Sequence, residues 1–297
     1  MSNSEGTFWS RIKQLWARRR PEIPEPLWQD CFARLPFLQR LSAPERARLK
    51  ILAETLLADK GIRSAGGLEL SDEIAVMIAA QAALPVLHLT LDLYDDMATI
   101  IVYPGAFLVP FSEVDQAGVV HEWEEPLAGE ALHAGGAVVL SWEDSDAPGR
   151  HGQDSNVVIH EFAHKIDMAN GTANGFPMLL ADLHRGMSAT EWQQAFSLAY
   201  QDFCDRVDGL ERRLPAAFDP ENPLDAEYYD TLAQALPLDP YAAHDPAEFF
   251  AVASEAFFVQ PAPLALAYPT VYRLLARYYR QDPMAATVTR SGRGPAL

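Results

Sequence analysis

Two histidines stand four residues apart, with a glutamate directly after the first, in the stretch "VVIHEFAHKIDMANG" from Val157 to Gly171. Few short patterns restrict a chain so tightly. Residues i and i+4 lie one turn apart on the same face of an α-helix. If this stretch is helical, His160 and His164 can therefore direct their imidazoles at one point. With His160 as the origin of the helical wheel, His164 and Asp167 fall beside it, and Val158, Phe162 and Ala169 fall opposite. A helix that gathers two histidines and an aspartate on one face is costly to bury unless those groups bind something. The spacing suits Zn²⁺, with each ring nitrogen at roughly 2.0–2.1 Å from the ion. Glu161 would sit beside the metal rather than on it, placed to accept a proton from water. Ser155 is the expected N-cap, and Asn170 with Gly171 the expected stop.

A catalytic zinc keeps three protein ligands and one open position. The third ligand is not the histidine of the extended metzincin pattern, because Asp167 stands where that pattern needs glycine and Asn170 where it needs histidine. Two acids remain downstream in "DPYAAHDPAEFFAVASEAFF". Asp245, Pro246 and Glu248 read as a helix start, and Glu255 lies seven residues after Glu248, on the same face. Glu248 could simply complete a capping box, and Glu255 could be a solvated surface acid. Against this, Phe249, Phe250, Phe257 and Phe258 make the helix largely buried, where a carboxylate needs a partner.

The rest of the chain supplies context. Its 297 residues can bury a sizeable core, and 49% are hydrophobic. The formal net charge of -18 repels phosphate backbones, so nucleic acid is excluded as the main partner. Cys31 and Cys204 are far apart and read as free thiols in a reducing compartment. The N-terminus lacks the apolar core of a signal peptide, and no apolar run is long enough for stable membrane insertion. The expected location is cytoplasmic. Phe8, Trp9, Ile12, Leu15 and Trp16, flanked by Arg11, Lys13 and Arg18 to Arg20, suggest a short basic amphipathic helix that packs on its own domain or a partner. Residues 1–25 are then an amphipathic segment and linker, 26–284 one domain with a helical part to about residue 90, and 285–297 a disordered tail.

Within the domain, Ser42 and Glu45 form an expected capping box ahead of Leu49, Leu52 and Leu56. "SDEIAVMIAAQAALPVLHL" reads as a buried helix ending near Pro85. "ATIIVYPGAFLVP" and "GAVVLSW" read as strands. The proline-rich stretch 215–246 reads as loops around one short helix. Helices, a few strands and then helices argue for an α+β fold rather than a parallel α/β sheet. The strand "GAVVLSW" is expected to offer its edge to an extended peptide.

"HEFAHKIDMANG" followed by "YAAHDPAEFFAVASEAFF" resembles the Mlc titration factor A family of zinc metallopeptidases, and the segments "IIVYPGAFLV" and "VVLSW" fit it too. The likeness extends from about Leu27 to Asp282. The histidine motif and the tyrosine-to-glutamate spacing are also similar to the catalytic domain of anthrax lethal factor. The resemblance implies a zincin-like core of the gluzincin kind, with one Zn²⁺ per chain held by His160, His164 and Glu248. It implies Glu161 as general base and Tyr241 as the group that steadies the oxyanion. Asp167 and Glu255 are then supports that hold ligands in place. The implied activity is hydrolysis of a peptide or protein substrate, of aminopeptidase type. The alternative that it carries is a regulatory protein that sequesters a transcriptional repressor of the Mlc type, with the zinc site structural or latent. A closed structural site needs no glutamate base, so Glu161 favours the enzyme.

Overall fold

Helix α3, Asp72–Ala83, is the element around which the others collect. Its sequence is apolar on every side, and such a helix must be enclosed. Ala75 through Ala83 are all buried, including one polar residue, Gln81. The Ser71 side chain caps its start by accepting from the Ile74 N–H at 3.3 Å. Helices α1 (Glu25–Arg34) and α2 (Ala43–Lys60) pack on it. The capping box at α2 is present. The Glu45 N–H reaches the Ser42 hydroxyl at 3.5 Å, and the Ser42 N–H donates to the Glu45 carboxylate at 2.8 Å. The structure is a computed structural model in which residues 22–105, 107–114, 120–127, 129–131, 136–142 and 156–285 are described. The basic amphipathic stretch before residue 22, the tail after residue 285 and Ser155 lie outside them.

The main sheet has the order β1-β2-β6-β5. Strands β1 (Ile62–Ser64), β2 (Thr99–Tyr103) and β6 (Ala137–Ser141) run parallel, and β5 (Gly129–Ala131) pairs antiparallel with β6. A separate antiparallel pair joins β3 (Phe107–Val114) to β4 (Val120–Leu127). Four points differ from the sequence reading. The stretch "GIRSAGG" contains β1 instead of a simple break. "ATIIVYPGAFLVP" divides into β2 and β3 at Pro104, which has no N–H to give to a ladder. The two parallel pairings mix a parallel sheet into an otherwise helix-rich α+β fold. Strand β6 is not an edge, because β2 and β5 take its two sides, so a peptide cannot add there.

The motif helix α4, Val157–Met168, packs against β5, β6 and α3. A long helix α5, Ala189–Glu211, follows, then α6 (Pro223–Ala233), a 3-10 turn at Pro240–Ala243, α7 (Pro246–Val259), α8 (Pro261–Ala267) and α9 (Pro269–Tyr279). Helix α5 is anchored by aromatic packing. Trp192 stacks on Phe196 at 4.3 Å, and Phe196 meets Phe249 and Phe250 of α7 edge-on or tilted. Fully burying each such ring contributes roughly 1.5–3 kcal/mol. One buried cluster runs from Ile23 to Tyr279. Both cysteines are free, Cys31 buried and Cys204 half-buried. Among the described residues no helix is long and apolar enough to cross a membrane.

The connection between α4 and α5 holds a buried histidine with a defined tautomer. His184 Nδ1 accepts from the Leu180 N–H at 2.8 Å, which leaves the proton on Nε2, 2.9 Å from the Tyr278 carbonyl. Burial pulls its pKa below the ordinary value, against the pull of that carbonyl and helped by Arg280. Protonation would cost the Leu180 bond. A depressed folded pKa means that this stabilisation is present above the unfolded value near ~6.5 and is lost as pH falls through the folded value. The expected result is a thermal midpoint that drops on going from about pH 7 to about pH 5, with a smaller drop in His184→Gln. Equal drops in the two proteins would assign the acid sensitivity elsewhere.

Candidate metal centre

Helix α4 begins one residue later than the sequence suggests. Its cap is Asn156, whose Oδ1 accepts from the Ile159 N–H at 2.9 Å. Every residue from Val157 to Asp167 is buried. A helix so enclosed leaves little of its polar face to water, so protein must satisfy most of it.

Helix α7 lies across that face and supplies two carboxylates. Its N-cap is Asp245, which accepts from the Ala247 and Glu248 N–H groups at 2.7 and 3.0 Å. Glu248 Oε2 stands 3.0 Å from His160 Nε2 and 3.3 Å from His164 Nε2, and the two Nε2 atoms are 3.0 Å apart. These three atoms make a nearly equilateral triangle. Two ligands of a tetrahedral ion with bonds of roughly 2.0–2.1 Å are separated by about 3.3 Å. The triangle therefore has the size of one face of a zinc tetrahedron, drawn in slightly. His160, His164 and Glu248 are a group that could hold a metal ion.

Glu255, two turns along α7, approaches His160 from the other side. Its Oε1 lies 2.6 Å from His160 Nδ1, and its Oε2 accepts from the Asn156 N–H at 2.6 Å. A carboxylate at Nδ1 calls for a proton there and leaves the Nε2 lone pair for the centre. The contact continues into the core. Asn156 Nδ2 donates to Gln81 Oε1 at 2.6 Å, and Gln81 Nε2 donates to the Met77 carbonyl at 3.1 Å. A line of short hydrogen bonds thus joins α3 to His160.

Glu161 is 3% exposed. Its Oε2 is buried with no hydrogen-bond partner. Burial pushes its pKa up to about 7, against the lowering pull of His160 and His164. Burial alone would lower His160, but its bonds with Glu248 and Glu255 hold it well above the ordinary value. Burial would likewise raise Glu248, yet the bonds from His160 and His164 keep it well below the usual carboxylate range. Three carboxylates thus surround two imidazoles, with little water. Unpaired buried charge costs several kcal/mol per ion, and a divalent cation would balance this set.

Tyr241 is 48% exposed, and its ring centroid is 6.1 Å from that of His160. It sits on the 3-10 turn, where Asp239 Oδ1 accepts from its N–H at 2.9 Å. The Tyr200 hydroxyl of α5 pins the same turn by donating to the Ala243 carbonyl at 3.2 Å. Asp167 is fully buried, but its hydrogen bonds do not go to a histidine. Its Oδ2 accepts from the N–H groups of Asn174 and Gly175, at 2.7 and 2.6 Å, and its Oδ1 has no partner.

The structure thus brings His160, Glu161, His164, Glu248, Glu255 and Tyr241 to one place and turns Asp167 toward the loop after the helix. Asn156, Gln81 and Gly175 escaped the sequence reading. Gln81 did carry a signal, being the single polar residue in "AVMIAAQAAL", where burial demands a partner.

The family model described as glucose-regulated metallo-peptidase M90 matches residues 8–280. The chain is similar to Mlc titration factor A of Serratia proteamaculans, with 34% identity over 92% of this chain and 94% of that protein. It is similar to the protein of the same name in Salmonella arizonae, with 34% identity over 90% and 97%. An uncharacterized protein of Synechocystis is 33% identical over 92% and 89%.

Proposed function

The chain belongs to the glucose-regulated metallo-peptidase M90 family, and from that premise we propose that it is a zinc-dependent peptidase with a zincin-like core. The observation that carries this reading is the triangle of His160, His164 and Glu248 atoms, with the partnerless Glu161 oxygen buried beside it. In this reading those three residues hold one Zn²⁺. Zinc bound there supplies Lewis acidity to the water and carbonyl next to it. Glu161 takes a proton from the attacking water and delivers it to the leaving amine. Tyr241 donates a hydrogen bond to the oxyanion as it develops. Glu255 fixes the tautomer and direction of His160. Residues 26–284 act as one metallopeptidase domain, supported by the buried cluster that runs from Ile23 to Tyr279 among the described residues. Cleavage from the N-terminus of a peptide, in the cytoplasm, is the narrower form of the same reading.

The relatives' name, Mlc titration factor A, supports a second reading, in which this chain binds a transcriptional repressor and the metal keeps the binding surface in shape. Glu161 separates the two, since a repressor-binding surface has no use for a proton acceptor buried beside the ligands.

Elemental mass spectrometry of protein purified without chelator is the first test. About one zinc per chain, lost in His160→Ala, is the expected result, together with turnover of a peptide library. A protein that takes up no zinc when it is supplied, and cleaves nothing, would overturn the peptidase reading.

A further inference from the structure

We infer that Asp167 is a positioning residue for Glu248, acting through Gly175 and the first turn of α7. The inference rests on the metal-holding role proposed above for Glu248.

Asp167 lies one turn beyond His164 on the same helix. Its Oδ2 gathers two backbone N–H groups, from Asn174 and Gly175, and bonds of this charge-assisted kind are the stronger ones. They fold the chain back against the end of α4. The Asn174 side chain closes the turn by accepting from the Phe176 N–H at 2.9 Å. Gly175 has φ +77°, and a Cβ there would run into the Pro246 carbonyl. Backbone thus meets backbone with no side chain between. From behind, the Trp192 indole N–H donates to the Gly175 carbonyl at 3.0 Å.

Pro246 is the first residue of α7, and Glu248 is two residues on. The turn that aims Glu248 at the histidines is therefore seated on Gly175, and Gly175 is held by Asp167. Helix α4 provides both imidazoles and, at its far end, the stop against which the third ligand's helix begins. Metal sites tolerate errors of about 0.2 Å in ligand distance, so a turn free to retreat by a few tenths of an ångström would weaken the third bond. This account also explains why a carboxylate on the histidine face bonds to a loop instead of to a histidine.

The test measures zinc affinity by competition with a chromophoric chelator, alongside thermal midpoints. Asp167→Ala and Gly175→Ala are each expected to bind zinc about 10–100-fold more weakly, the range for loss of an outer partner. Asp167→Asn keeps an acceptor oxygen for the two N–H groups and should recover most of the affinity. Adding Asp167→Ala to Glu248→Ala should weaken binding no further, because the residue it acts through is already gone. Gly175→Ala leaves Asp167 in place and keeps the test open if Asp167→Ala fails to fold. Equal losses with and without Glu248, or unchanged affinity in Gly175→Ala, would overturn the inference alone. Wild-type protein that binds no zinc would overturn the metal reading, and this inference with it.

Discussion

Glu161→Gln is expected to lower peptide turnover by about 10²–10⁴-fold, the usual contribution of a positioned base, and to leave zinc content unchanged. The argument is geometric. Glu161 contributes no atom to the triangle of ligand atoms, and its Oε2 has no bond to lose. Glutamine keeps the volume in a fully packed helix and removes only the ability to take a proton. Burial has already raised the carboxyl to about 7, so it is a far better acceptor than an exposed glutamate. Turnover that survives the substitution would place the base elsewhere. Turnover and zinc lost together would show that Glu161 supports the site instead of working in it.

The second large effect separates two acids on one helix. Glu248 touches both Nε2 atoms, whereas Glu255 touches the far nitrogen of His160 and the Asn156 N–H. Glu255→Ala should weaken zinc binding by about 10–100-fold, as loss of an outer partner does. Glu248→Ala should exceed that, since it leaves two protein ligands where a catalytic site has three. Competition with a chelator measures both. The reverse order of losses would transfer the ligand role to Glu255.

Much of this was legible in the chain, for identifiable reasons. A 3.6-residue period fixes which side chains share a face, so the histidine pair, and Glu248 with Glu255, could be placed without coordinates. The all-apolar run of α3 and the Ser42–Glu45 box are local signals, and local signals survive in a sequence. What failed was non-local or too short. Strand β1 has three residues, fewer than any period needs. One neighbour of β6, strand β2, comes from a distant segment, and the other, β5, has only three residues, so the place of β6 inside the sheet could not be read from its own composition. The cap at Asn156 and the expected cap at Ser155 differ by one residue, within the ordinary blur of helix ends. That Glu255 is no solvated acid depends on how α7 crosses α4. The partner of Asp167 depends on a loop whose path only the whole fold sets.

The hydrogen-bonded line from Gln81 through Asn156 and Glu255 to His160 bears on how damage to this protein would look to a geneticist. Helix α3 contributes no side chain to the metal triangle and lies more than seventy residues before the motif in the chain. A collection of spontaneous inactive alleles would nevertheless include substitutions at position 81. Plotted along the gene, they would form a cluster far from the histidine codons and resemble lesions of an unrelated function. Second-site suppressors of such alleles would arise at position 156, whose side chain meets Gln81 directly.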